Sequence, residues 1–144
     1  MVMVSSLRCY MLIVLLVLTS NSALHVSAIV SLFTNQSLRV NEQLINRSFS
    51  LSMQGDCNLV LRDGTRVLWS TNTSGYGTNC RVTMQDDGNL VVYNDQGALW
   101  ASNSWRQGRD SYELILQEDR NLVIYKGSAR TPIWDTKTYF LASE

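Results

Sequence analysis

Five residue types recur at alternate positions in the order Gln85, Asp87, Asn89, Val91, Tyr93, and again as Gln117, Asp119, Asn121, Val123, Tyr125. A further copy supplies Gln54, Asp56, Asn58 and Val60 but carries Arg62 at the place of the tyrosine. A sugar ring presents hydroxyls that both donate and accept. Gln and Asn offer a donor and an acceptor each, an ionised Asp accepts, a Tyr hydroxyl does either, and Val can lie against ring C–H groups. Such chemistry requires neither a metal nor a titrating base. A single copy reads most simply as a polar face beside a turn. Three copies in register point instead to a repeated site.

The elements that hold these residues are hairpins. Alternating apolar residues precede each copy: Phe49, Leu51, Met53; Cys80, Val82, Met84; Tyr112, Leu114, Leu116. Leu with Val or Ile alternates again after it. The polar middle is therefore a bend, and Asp87-Gly88 suits one because Gly accepts positive φ and Asp bonds its own backbone. Asp56-Cys57 and Asp119-Arg120 stand at the same place and leave the turn type open. On the outgoing strand Asn89, Val91 and Tyr93 share one face, with Leu90 and Val92 on the other. The bend returns Gln85 and Asp87 to the outer face.

The copies are spaced by 31 and then 32 residues, from Gln54 to Gln85 to Gln117. Trp69 and Trp100 each follow the end of their motif by seven residues, whereas Trp134 follows by nine, so the third turn is two residues longer. Each unit reads as strand, bend, strand, turn and tryptophan strand. No unit of that size buries its own core, but radially arranged units with one Trp each near the axis would. Equivalent tryptophans read as core rather than ligand platforms. Trp105, in the loop from Ser104 to Asp110, has no counterpart, and the sequence leaves it as either a contact or a loop anchor. Gly75-Tyr76-Gly77 precedes no helical pattern and reads as a hairpin loop.

The 144 residues, 45% hydrophobic and 17% charged, suit one globular domain. Residues 1–28 read as a secretory signal: one positive charge, a short apolar run from Cys9 to Leu18, and small residues at Val26-Ser27-Ala28. Cleavage after Ala23 is the alternative. A membrane anchor would want about 20 apolar residues. The mature domain, 29–144, is expected outside the cell or in a vacuole. Removing Arg8 leaves 11 basic against 12 acidic residues, which gives no basic patch for nucleic acid. The preferred cleavage also removes Cys9 and His25, the one histidine. Cys57 and Cys80 then form an even pair, which in a small secreted domain reads as a disulfide. Asn35, Asn46 and Asn72 begin glycosylation sequons.

Gln-x-Asp-x-Asn-x-Val-x-Tyr repeats, with Trp69-Ser70-Thr71-Asn72 and Trp100-Ala101-Ser102-Asn103 and the Cys57/Cys80 pair, resemble the bulb-type mannose-binding lectins of monocot plants across the whole mature chain. The resemblance implies an all-β fold, the type II β-prism, in which three four-stranded antiparallel sheets surround a pseudo-threefold axis. Each sheet would carry a shallow mannose pocket without metal or other cofactor. Asp87 and Asn89 would hold the axial O2 hydroxyl, Gln85 O3 and Tyr93 O4, with Val91 against the ring. Gln117, Asp119, Asn121, Val123 and Tyr125 would repeat this. Gln54, Asp56, Asn58 and Val60 would form a weaker pocket, because Arg62 donates without accepting. The resemblance further implies mannose-rich glycans and glycoproteins as partners, and a homodimer that exchanges the C-terminal strand. A role in defence or recognition would follow.

Two other classes compete. A storage or taste-modifying protein of the same fold would have degraded motifs, and two complete copies argue against it. An enzyme would need a nucleophile elbow, paired carboxylates or a mature histidine, and the sequence supplies none of these. Asp86-Asp87-Gly88 lacks the rest of a calcium loop.

Overall fold

Bends flanked by alternating apolar residues produce short antiparallel strands, and the computed structural model describes residues 29–140. The leader expected over 1–28 and the last four residues lie outside the described residues. The strands are β1 (Ser31–Phe33), β2 (Ser37–Arg39), β3 (Gln43–Asn46), β4 (Phe49–Met53), β5 (Leu59–Asp63), β6 (Arg66–Ser70), β7 (Arg81–Met84), β8 (Leu90–Asn94), β9 (Gly97–Ala101), β10 (Tyr112–Leu116), β11 (Leu122–Lys126) and β12 (Thr131–Asp135). They form three four-stranded sheets, ordered β3-β4-β5-β6, β2-β7-β8-β9 and β1-β10-β11-β12. We call these the first, second and third sheets, after the motif copy each carries. The arrangement is the expected type II β-prism.

Each repeat supplies three strands of its own sheet. The fourth comes from the leading segment, which gives β1 to the third sheet, β2 to the second and β3 to the first. One buried leucine in each of these strands, Leu32, Leu38 and Leu44, faces the interior. The remaining core comes from alternate positions of the repeat strands, including Leu51, Met53, Val82, Met84, Leu114 and Leu116. Trp69, Trp100 and Trp134 close it as a triangle of edge-on contacts, with centroids 5.4, 5.9 and 6.0 Å apart. Each such contact contributes about 0.5 to 1.5 kcal/mol beyond area burial.

All three bends adopt the same conformation despite different residues. Cys57, Gly88 and Arg120 have φ of 72°, 90° and 66°. Their N–H groups donate to the carbonyls of Gln54, Gln85 and Gln117. Left-handed backbone costs a non-glycine residue about 1 to 2 kcal/mol, and contacts between sheets offset it here. Cys57 is bridged to Cys80 ahead of β7, with Cα atoms 5.3 Å apart. A Cβ on Gly88 would lie 2.8 Å from the Tyr112 ring, so glycine alone fits against that side chain. The Arg120 guanidinium sits 4.0 Å from the centroid of Phe140, which packs at 6.3 Å on Phe49. The same turn position thus seals all three sheet junctions by three different chemistries.

Residues 136–140, after β12, run back over their own chain. Phe140 N–H donates to the Asp119 carbonyl at 3.3 Å, and Arg120 Nε donates to the Thr138 carbonyl at 2.6 Å. Trp105 opens a short 3-10 turn and is 48% exposed, with Arg106 over its ring, so it is not the loop anchor. Anchoring falls to buried Ser104, whose hydroxyl donates to the Gly88 carbonyl at 2.7 Å, and to Tyr112, whose hydroxyl donates to the Gly108 carbonyl. Burial first, then the carboxylates of Asp110, Asp87 and Asp86, raise the Tyr112 pKa and keep it a donor.

Candidate functional site

The aspartate of each motif folds its own bend. One carboxylate oxygen of Asp56, Asp87 and Asp119 accepts the N–H of Asn58, Asn89 and Asn121 at 3.0, 2.9 and 2.9 Å. Each asparagine is then tied to the tryptophan strand's continuation. Asn89 Oδ1 accepts from the Ser102 hydroxyl at 3.1 Å and the Ser104 N–H at 3.3 Å. Asn58 receives the same pair from Thr71 and Thr73, and Asn121 from Thr136 and Thr138. The amide oxygen is therefore structural. Only the amide nitrogen remains for a ligand.

A register shift falls between Val92 and Tyr93, and at the same place in the other sheets, between Leu61 and Arg62 and between Ile124 and Tyr125. Such a bulge re-aims the side chain that follows it. Tyr93 is met by Gln85, whose Nε2 donates to the phenol oxygen at 2.6 Å, and Gln117 meets Tyr125 at the same distance. The phenol keeps its own hydrogen to donate outward. Val60, Val91 and Val123, buried at 2%, 3% and 4% exposure, lie beneath as an apolar floor.

The three pockets part at the groups left over. In the second, neither Asp87 Oδ2 nor Asn89 Nδ2 has a partner among the described residues. In the third, Asn121 Nδ2 donates to Asp135 Oδ2 at 2.9 Å. Asp135 sits opposite Val123 on β12, where the second sheet has Ala101 opposite Val91 and the first has Ser70 opposite Val60. Its carboxylate lines the hollow shared by Gln117, Asn121 and Tyr125. In the first pocket the second oxygen of Asp56 accepts from the Ser74 hydroxyl at 2.6 Å. That bond, then the Asn58 N–H, lowers the Asp56 pKa below its usual value. Arg62 takes the tyrosine position there, opposite Val67. The structure thus joins Gln to Tyr in the second and third copies and Asp to Asn in all three, but it separates the second copy from the third, which are alike in sequence. Sequence reasoning missed residue 135; the one signal for it was the variable member of Trp-x-Ser/Thr, where Ser70, Ala101 and Asp135 differ.

Among the described residues, no three His, Cys, Asp or Glu side chains gather to hold a metal ion. Of the sequon asparagines, Asn35 and Asn72 are exposed, whereas Asn46 spends its amide nitrogen on the Leu116 carbonyl at 2.9 Å.

No family model matches the chain. A solved monomeric monocot mannose-binding lectin from Gastrodia elata is 42% identical, with a TM-score of 0.74 over 77% of this chain and 99% of that one. The mannose-specific agglutinin of snowdrop, Galanthus nivalis, solved with methyl-α-D-mannoside, is 44% identical with a TM-score of 0.65, over 78% and 99% of the two chains. Mannose-specific lectin 1 of Colocasia esculenta is 37% identical over 105 residues, which cover 73% of this chain and 38% of that protein. The chain spans about two fifths or less of the length of the first curated relatives it matches.

Proposed function

The chain belongs to the monocot mannose-binding lectins, a non-enzymatic family, and from that premise we propose that it binds mannose and mannose-rich glycans without metal, chiefly through its second pocket. The observation that carries this reading is the pair of unpartnered groups at Asp87 and Asn89 beside the Gln85–Tyr93 bond. One acceptor, one donor and one phenol over the Val91 floor match adjacent ring hydroxyls and the C–H face beneath them. The third pocket has the same five residues with its donor already engaged, so it ranks below the second. The first, with Arg62 and a committed Asp56, ranks last. One retained full pocket also speaks against the storage or taste-modifying alternative.

Secretion with loss of residues 1–28 belongs to the same reading, with glycans at Asn35 and Asn72 ahead of Asn46. So does delivery outside the cell or to a vacuole, with a role in recognition or defence. A homodimer that exchanges the C-terminal segment would make between two copies the contacts that Arg120, Phe140 and Phe49 make here within one. A second copy also raises avidity for branched glycans without any new contact. Light scattering on the secreted protein distinguishes dimer from monomer. A glycan array on the same material tests the sugar: mannosides should stand above the other neutral hexoses, and signal at background for mannosides would move the protein to the storage class.

A further inference from the structure

The row of side chains that ends the motif differs sharply among the sheets. In the second sheet Arg39 lies opposite Arg81, Arg81 opposite Tyr93, and Tyr93 opposite Ala98. The corresponding row of the first sheet is Ile45, Ser50, Arg62 and Val67, and that of the third is Phe33, Glu113, Tyr125 and Pro132. In the third sheet the charge is balanced, because Arg130 pairs with Glu113 at 3.1 Å. In the second, two exposed arginines stand at paired positions on β2 and β7, and neither makes an ion pair among the described residues. Like charges placed directly opposite in a sheet are destabilising.

Two carboxylates lie nearby, and one of them, Asp95, lines the same groove as the two arginines, while neither is ion-paired to them. Glu42 accepts the backbone N–H of Arg39 at 2.7 Å, and Asp95 accepts the Asn79 amide at 2.9 Å. Arg39 and Arg81 line one groove beside Thr78 and Asn79. The groove adjoins the second pocket through Arg81, whose guanidinium carbon lies 5.0 Å from the centroid of the Tyr93 ring.

Resting on the mannose reading above, we propose that this groove is a subsite for an oxyanion carried by the glycan whose mannose occupies the Tyr93 pocket. A guanidinium presents its donors as a planar fork that fits a sulfate or phosphate ester, or a carboxylate, through paired hydrogen bonds. Two forks on adjacent strands converge on one anion, and the anion in turn offsets their mutual repulsion. No equivalent subsite exists in the other two sheets, where the row is neutral but for Arg62 or already paired. The second pocket therefore selects acidic mannose glycans, and the other two do not.

Calorimetric titration with methyl mannoside, mannose 6-phosphate, a mannose disaccharide of glucuronic acid, and inorganic phosphate alone separates the cases. At low ionic strength the phosphorylated or the uronic ligand should bind about fivefold to tenfold more tightly than methyl mannoside, since charge-assisted bonds at an open site are modest. The stronger of the two identifies the anion. Near 1 M salt, where the screening length falls to about 3 Å, the advantage should vanish. Arg39→Gln should remove it at any salt while leaving methyl mannoside affinity unchanged, which also reports that the variant is folded. Equal affinity for neutral and both acidic ligands would overturn the subsite and leave the mannose reading standing. So would an advantage that survives Arg39→Gln, or inorganic phosphate binding as tightly as the acidic glycans. Failure of every mannoside to bind would remove the mannose reading itself, and the subsite with it.

Discussion

The second and third pockets share five motif residues, a bend, a bulge and a Gln–Tyr bond, yet one side chain on the neighbouring strand separates them. Ala101 leaves the Asn89 amide nitrogen free, whereas Asp135 accepts the equivalent hydrogen from Asn121 at 2.9 Å. A binding motif read along one strand fixes the frame of a pocket. The strand beside it decides whether the donor in that frame is available to a ligand. A partly buried hydrogen bond must be surrendered before the Asn121 amide can hold a hydroxyl, which offsets most of the roughly 0.5 to 1.5 kcal/mol the new bond would contribute.

Largest among the expected effects is one that should leave the contrast intact. Cys57→Ala with Cys80→Ala opens the junction between the first and second sheets and should lower unfolding stability by roughly 3 kcal/mol, on the chain-entropy estimate for a separation of 23 residues. Denaturant titration measures the loss, and the ratio of affinities between the pockets should not change. Next comes transplanting the difference. Ala101→Asp places a carboxylate opposite Val91 and should weaken mannoside binding at the second pocket about tenfold, as read by calorimetry. Full retained affinity there would mean that the Asn89 amide does not bind the sugar.

The converse change is smaller. Asp135→Ala frees Asn121 and should raise third-pocket affinity by about threefold to tenfold, seen as mannose density at Tyr125 in crystals soaked at concentrations that fill only Tyr93 in the parent. Smallest is the first pocket, where Ser74→Ala frees one oxygen of Asp56. The folded-state pKa of Asp56 is depressed, so its contribution to stability is present above the ordinary value of 3.8 and is lost as pH falls through the lowered one. Ser74→Ala should move that loss upward, towards ordinary carboxylate pH, in an acid titration followed by NMR. The effect on stability is slight, because the carboxylate is exposed to solvent.

Much of the fold was legible because the repeat carries its own period. Leu51 and Met53, Val82 and Met84, and Leu114 and Leu116 alternate cleanly, and the tryptophans mark the axis. The leading strands were not legible. Ser31–Phe33 and Ser37–Arg39 hold one inward leucine each, too few to show a period, and their partners lie far along the chain. The common turn at Cys57 and Arg120 was hidden for a different reason: neither residue favours positive φ, and the bridge to Cys80 and the packing on Phe140 that accompany it there join residues distant in the chain. At the site, Gln, Asp, Asn and Tyr announced themselves by type and spacing. Asp135 did not, because its effect arises from pairing with Val123 across the sheet rather than from any position in the motif.

The central claim is that the free amide of Asn89, beside Asp87, holds a mannose hydroxyl. Asn89→Asp tests it most directly, since the retained oxygen still accepts from Ser102 and Ser104 and only the outward donor is lost. The measurement is calorimetric titration of parent and variant with methyl mannoside, beside a thermal melt of each. Two carboxylates would then face one hydroxyl that donates once, so affinity at the second pocket should fall at least about tenfold with the melt nearly unchanged. Undiminished binding by the folded variant would contradict the account and place the sugar elsewhere on the prism.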